Sequence, residues 1–475
     1  MKKLLLPFLL VIFYININAQ NSSYSIKVKI AGIKDTNCYI AGYYGDGDKK
    51  YMKDTARADS KGNLVFTKKK LLPGGIYMVV IPSHKYFEFI VNKEQSFSME
   101  TDTIDFIKNM KIKGSSENKL FYDYLKFVST KQKVADPLLK SLKKTTEKDS
   151  LKMLKEQLKV VDDEVKKYKL NFIKEHPETF VASVFKASQE QENLPDPPTL
   201  PNGKKDSAFV YRYYKSHFFD NIDLTDDRLL RTPVFHNKLK QYITQVVIQY
   251  PDSINKEADM LIAKTKGNKE TFKYVLWFIT NWSETCNIMG MDAVFVYLAE
   301  KYYATGQAYW VNPTQLQKIV DRAKQVKYTL LGTKVPNLIM PDENGKMQSL
   351  YDVNSKYTIL YFWDPDCGHC QKETPLLVDY YHKVKDKGVE VYSVGSVIET
   401  KEWKKYIKAH QLDWINVTDT VNKNNAKYIF DIYSTPVIYL LDADKKVLAK
   451  RLSFEQLQEF LERQMKKDAI GIKRD

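Results

Sequence analysis

The sequence predicts three successive folds: an N-terminal antiparallel β-sandwich-like domain, a central all-α domain and a C-terminal α/β domain. Three observations carry this. Short alternating strands recur up to about residue 115, helical periodicity takes over to about 325, and strands then alternate with helices. The expected boundaries are 1–19 for an export segment, 20–116, 117–326 and 327–475. The length of 475 residues fits about three domains. A hydrophobic fraction of 43% excludes wholesale disorder, and 4 cysteines exclude a dense disulfide scaffold.

The first residues read as an address. Lys2 and Lys3 precede an apolar run from Leu4 to Ile15, and a more polar stretch ends at Ala19. That is the layout of a cleavable secretory signal, with the cut expected after Ala19. The run is short for a bilayer span, and no cysteine follows it to take a lipid anchor. No later segment reaches transmembrane length. The mature chain is therefore expected in the periplasm without a membrane span.

In the β region Ile26, Val28 and Ile30 alternate with polar residues. Further strand runs are Tyr39–Tyr44, Leu64–Phe66, Ile76–Ile81, Tyr86–Val91 and Phe97–Met99, separated by turns such as Gly45-Asp46-Gly47-Asp48. Tyr39, Tyr43, Tyr44, Tyr77 and Tyr86 suit strand packing more than a binding face. In the central region Leu151, Leu154, Leu158, Val161, Val165, Tyr168 and Phe172 follow 3-4-3-4 spacing and stop before Pro177. One apolar stripe of that kind predicts a helix paired with the helical segment before it. The proline-rich stretch 193–201 predicts a loop. Further helices are expected near 206–220, 235–250, 255–264, 269–283, 290–304 and 313–325. His217 and His236 lack spaced metal partners.

The net charge of +16 resembles a nucleic-acid signal, but only 8 of the 74 basic residues are Arg, the residue suited to bidentate phosphate and base reading. The Lys is scattered among 58 acids, which describes a solvated surface, so no nucleic-acid partner is expected.

The last third holds the legible chemistry. Strands are expected at Tyr357–Trp363, Val389–Val394, Trp414–Val417 and Val437–Leu441, with helices at 368–386, 400–410, 422–430 and 454–466. Between the first strand and first helix stands Cys367-Gly-His-Cys370. Two intervening residues on a first helical turn bring the sulfurs within bonding reach. The helix N-terminus favours the thiolate of Cys367, the form that attacks disulfides, and Cys370 one turn deeper can resolve the mixed disulfide. His369, when protonated, favours the same thiolate, whereas Asp364 and Asp366 oppose it. No second cysteine pair or paired histidine completes a zinc site, and no metal or other cofactor is expected. Cys38 and Cys286 read better as separate thiols than as a staple between domains.

With these motifs in view, residues 334–467 resemble a thioredoxin-fold domain of the periplasmic TlpA/ResA-like group. Trp363 falls four residues before Cys367, as the active-site strand tryptophan does, and Pro375 matches the helix-kinking proline. Thr435-Pro436 matches the loop whose cis-proline faces the cysteine pair and lets substrate backbone pair beside Thr435. The resemblance thus implies a substrate-facing set of Trp363, His369, Thr435 and Pro436. The hairpin Leu338–Leu350 and the segment 400–417 resemble the additions of this group. Tyr361 stands where thioredoxin has a buried aspartate, and Glu373, three residues past Cys370, matches a glutamate common in the group that exchanges a proton with the resolving thiol. Asp366 replaces the tryptophan usual before the first cysteine. The β region and Tyr211–Tyr242 resemble the domains of unknown function that precede the thioredoxin module in exported Bacteroidetes proteins.

The expected function is therefore thiol–disulfide exchange with exported proteins, with a membrane or periplasmic redox partner. The alternatives are a binding or scaffold protein that docks through its redox fold, and a thiol peroxidase. The latter needs Thr and Pro where Asp364 and Leu360 stand.

Overall fold

The computed structural model describes residues 23–471 except Ser83, Asn193, Ile398, Glu399, Val421 and Asn422, and omits the side chains of 47–49. The expected export signal lies outside the described residues. Two compact units result, Met1–Gln241 and Tyr242–Asp475, so the helical stretch is shared between them.

The first unit begins with strands β1 (Tyr24–Ala31), β2 (Asn37–Tyr44), β3 (Asp46–Arg57), β4 (Asn63–Lys68), β5 (Gly75–Val80), β6 (Tyr86–Val91), β7 (Ser96–Asp102) and β8 (Lys111–Lys113). They form two four-stranded sheets, β4-β1-β7-β8 and β3-β2-β5-β6. The alternation in β1 buries Ile26, Val28 and Ile30 and exposes Lys27 and Lys29. Phe89 of one sheet meets Phe97 of the other at 6.1 Å between ring centres. One expectation needs correction: β1 and β7 run parallel, with Ile26 opposite Phe97, because β7 returns to the first sheet after the chain has crossed to the second. Two strands, β3 and β8, were not expected. Both are sheet edges, where lysine-rich sequence replaces the apolar alternation that betrays inner strands. Tyr77 and Tyr43 are core residues, and Tyr43 donates to Glu88 at 2.6 Å, so the tyrosines form no common exposed face.

Helices α1 (Ser116–Leu142), α2 (Lys148–Glu175), α3 (Phe180–Ala187), α4 (Phe209–His217) and α5 (Pro233–Gln241) complete this unit. The predicted stripe of α2 is its covered face: Leu154, Val161 and Phe172 are buried. It packs on α1, with Phe127 stacked on Tyr168 at 4.5 Å.

The second unit opens with α6 (Pro251–Thr265), α7 (Lys269–Thr285), α8 (Asp292–Leu298) and α9 (Pro313–Lys327). Then follow β9 (Ile339–Pro341), β10 (Met347–Ser349), β11 (Tyr357–Trp363), α10 (Gly368–Val384), β12 (Val389–Gly395), α11 (Thr400–Ala409), β13 (Ile415–Thr418), α12 (Ala426–Ile429), β14 (Val437–Asp442), β15 (Val447–Lys450) and α13 (Phe454–Ala469). The sheet order is β13-β12-β11-β14-β15, with β11–β12–β13 parallel and β14 and β15 antiparallel. This is the thioredoxin fold. All seven residues of β11 are buried, as a strand covered on both faces requires. Ile359, Tyr361 and Trp363 face a core with α10 and α13, while Leu360 and Phe362 face a second core with Leu338 and Phe430. β15, which the periodicity does not reveal, is covered by the linker, where Gly332 N–H donates to Val447 and Val447 N–H to Thr333. The expected helix 422–430 shortens to α12, which starts after Asn425 in a left-handed conformation (φ 50°).

Candidate active site

β11 delivers the chain to the site, and a tight turn aims it. The Cys367 amide donates to the Asp364 carbonyl at 3.1 Å, and Asp364 Oδ1 accepts from the Asp366 amide at 2.9 Å. Gln371 Nε2 closes the turn on the Pro365 carbonyl at 2.8 Å. Cys367 then caps α10 with extended backbone (φ −82°, ψ 116°), so the first free amides of the helix lie beside its sulfur. A Cβ added at Gly368 meets nothing within 4 Å, so the glycine leaves the surface before the pair bare.

The two thiols are free and differ sharply. Cys367 is half-buried, and its Sγ lies 3.1 Å from the carbonyl oxygen of Thr435, which leads into β14, the neighbour of β11. Thr435–Pro436 is cis, and both residues are half-buried. Burial works against the Cys367 thiolate, but hydrogen bonds headed by the Cys370 amide hold the thiol below its ordinary range. Cys370 has no exposed surface, and burial pushes its thiol up to about 12. One thiol is thus poised to attack and the other to stay protonated.

Glu373 lies one helical turn beyond Cys370 and is half-buried. Burial, followed by the charge of Glu455, raises its carboxyl, while His369 works the other way. His369 itself is exposed beside the pair. Trp363 corrects an expectation: with 0% exposure it lies beneath the site and meets no partner. Its indole N–H donates to Ser393 Oγ at 3.3 Å, and its ring stacks on Tyr361. Tyr361 fills the place of the thioredoxin aspartate as a neutral group, its hydroxyl 2.9 Å from Thr374 Oγ1. Thr374 and Ser393 were missed by the sequence reading. Thr374 had a signal, since it sits four residues from Cys370 on the same helix face. Ser393 had none, because only strand pairing brings β12 beside Trp363. Among the described residues no group of three or more His, Cys, Asp or Glu is placed to hold a metal. Cys38 is buried, Cys286 half-buried, and both are free.

Comparison with known proteins matches residues 331–450 to the AhpC/TSA family, 164–329 to a domain of unknown function (DUF5106) and 24–121 to another (DUF4369). A thiol-disulfide oxidoreductase ResA of Bacillus cereus is 31% identical over 137 residues, 29% of this chain and 78% of that protein. ResA of Bacillus subtilis (strain 168) is 31% identical over 117 residues, 25% of this chain and 64% of its own length. A solved domain of a possible thiol-disulfide isomerase from Cytophaga hutchinsonii is 46% identical, covering 30% of this chain and 97% of that one, with a TM-score of 0.28. The AhpC/TSA match covers the cysteine pair in a domain that folds as a thioredoxin, and ResA is 31% identical with 78% of its length covered, so the chain belongs to the ResA thiol–disulfide oxidoreductases.

Proposed function

We propose that this enzyme exchanges disulfides with exported proteins of the periplasm through Cys367 and Cys370. The observation that carries the reading is the opposite displacement of the two thiols across one helical turn. The Cys367 thiolate attacks one sulfur of a substrate disulfide, and the departing substrate thiolate takes a proton. Cys370 then loses its proton to Glu373 and attacks the Cys367 sulfur, releasing the second substrate thiol. The substrate gains two electrons, and the protein is left with a Cys367–Cys370 disulfide. A periplasmic or membrane redox partner returns those electrons, and the same steps in reverse oxidise a dithiol. His369, Thr435 and Pro436 supply the partner-facing surface. The apolar run Leu4–Ile15 supports export, and among the described residues no helix is long and apolar enough to cross a membrane.

Replacing Cys370 by Ala should trap partners as mixed disulfides on Cys367, released by reductant, and a Cys367→Ala variant should trap none. The reading is wrong if the Cys370 variant accumulates no adducts and the wild type moves no electrons to a disulfide. Peroxide consumption is not expected, given Asp364 and Leu360.

A further inference from the structure

Asp431 lies four residues before Thr435, whose carbonyl touches Cys367. It is 7% exposed and left-handed (φ 55°). Two arginines hold its carboxylate. Arg322, on α9, forms a fork with it, Nη1 to Oδ1 and Nη2 to Oδ2 at 3.0 Å, and Arg451 adds a further bond from the end of β15. α9 also holds α12, the helix just before this loop, where buried Gln325 donates to the Tyr428 carbonyl at 2.9 Å. Arg322 also faces the ring of Tyr433 at 5.9 Å, and Tyr433 is 77% exposed. A cavity of about 790 Å³ opens beside this loop, lined by both Arg322 and Tyr433.

We infer that α9, which lies in the stretch matched to a domain of unknown function, braces the loop leading to Thr435–Pro436, and that Arg322 is the positioning residue. The bidentate fork fixes Asp431 in direction as well as distance, which a single point charge does not. The loop that receives substrate backbone is then set before a partner arrives, so binding does not have to order it. A small disulfide that reaches Cys367 without pairing along Thr435 has no use for the brace. This inference rests on exchange at Cys367, and its test separates the two.

Full-length wild type and Arg322→Met, both reduced, are compared on insulin and on 5,5′-dithiobis(2-nitrobenzoate). The wild type should reduce both. Arg322→Met should raise KM for insulin about tenfold while its rate with the small disulfide stays within about twofold. Arg322→Lys, keeping the charge without the fork, should fall between. Asp431→Asn provides a second break from the loop side, should Arg322→Met fold poorly, and should show the same split. A control, Lys450→Met with Asp292→Asn, removes a different ion pair between these helices and β15 and should leave the insulin KM within about twofold. Wild-type inactivity on both disulfides overturns the exchange reading and this inference with it. An active wild type whose Arg322 and Asp431 variants keep normal insulin KM, or lose both activities in parallel, overturns the brace alone.

Discussion

The N-terminal sandwich and the C-terminal sheet both bury titratable side chains, with different outcomes. In the sandwich they neutralise one another. Tyr24 donates to Asp54, Lys68 pairs with the same carboxylate at 2.9 Å, and Tyr43 donates to Glu88. Burial and the bond to Asp54 raise the Tyr24 hydroxyl, and the bonds from Lys68 and Tyr24 hold the Asp54 carboxyl below its ordinary value despite burial. At the end of β11 the groups are left unbalanced. Cys367 is displaced down, Cys370 and Glu373 up, and none of the three is matched by a buried ion pair. Packing rather than strand register brings these pairs together: Tyr24 of β1 and Lys68 of β4 reach Asp54 of β3 in the other sheet, and Tyr43 of β2 reaches Glu88 of β6, two strands away. A parallel strand that runs into a helix start instead presents its last residues to free amides and to solvent. Burial alone does not make a site, and unmatched burial at such a strand end does.

The sharpest way to break this contrast is to read thiolate directly. Cys370 titrates near 12 and Cys367 below the ordinary thiol value of 9.0. At neutral pH the thiolate fractions should differ by roughly three decades or more. Iodoacetamide at pH 7 with mass-spectrometric mapping should therefore label Cys367 and leave Cys370 unlabelled. Equal labelling in folded protein would remove the basis of the comparison.

A smaller effect is expected at Glu373. Glu373→Gln should slow resolution of the mixed disulfide on the order of a hundredfold, the low end for a lost acid–base group, with formation of the adduct little changed. Stopped-flow traces of the two phases check this, and equal slowing of both would argue against a role for Glu373 in proton transfer.

The sandwich should respond in stability alone. Asp54→Ala leaves the Tyr24 hydroxyl buried without its acceptor and should cost about 2 kcal/mol, measured by urea unfolding, with exchange unaffected. The pH dependence follows from direction. Burial raises the Asp54 carboxyl, but its bonds from Lys68 and Tyr24 outweigh this and hold it below its ordinary value. Its contribution is thus complete above the unfolded value, about pH 4, and fades as pH falls through the lower folded one. The wild type should lose stability more steeply than Asp54→Ala below about pH 4.

Much of this was legible from residue order. The cysteine pair, its helix, Pro375 and the Thr435–Pro436 step are local patterns, and so is the α2 stripe. Three edge strands, β3, β8 and β15, were not legible, because they are lysine-rich or short, whereas the edges β4, β6 and β13 carry apolar runs that were. Trp363 was misjudged for a related reason. Its spacing from Cys367 gives its place along the strand, but not the depth of that strand, which neighbours on both faces set.

By itself the sequence determined which residues stand next to Cys367 along the chain, and hence the helix start that favours its thiolate. Local hydrogen bonding and helix geometry need only neighbours in order. The tertiary structure decided the depth of Cys370 and Glu373, the carbonyl of Thr435 beside Cys367, and the grip of Arg322 on Asp431 across 109 positions of chain. Burial and long-range pairing depend on how elements pack, and no local pattern encodes that.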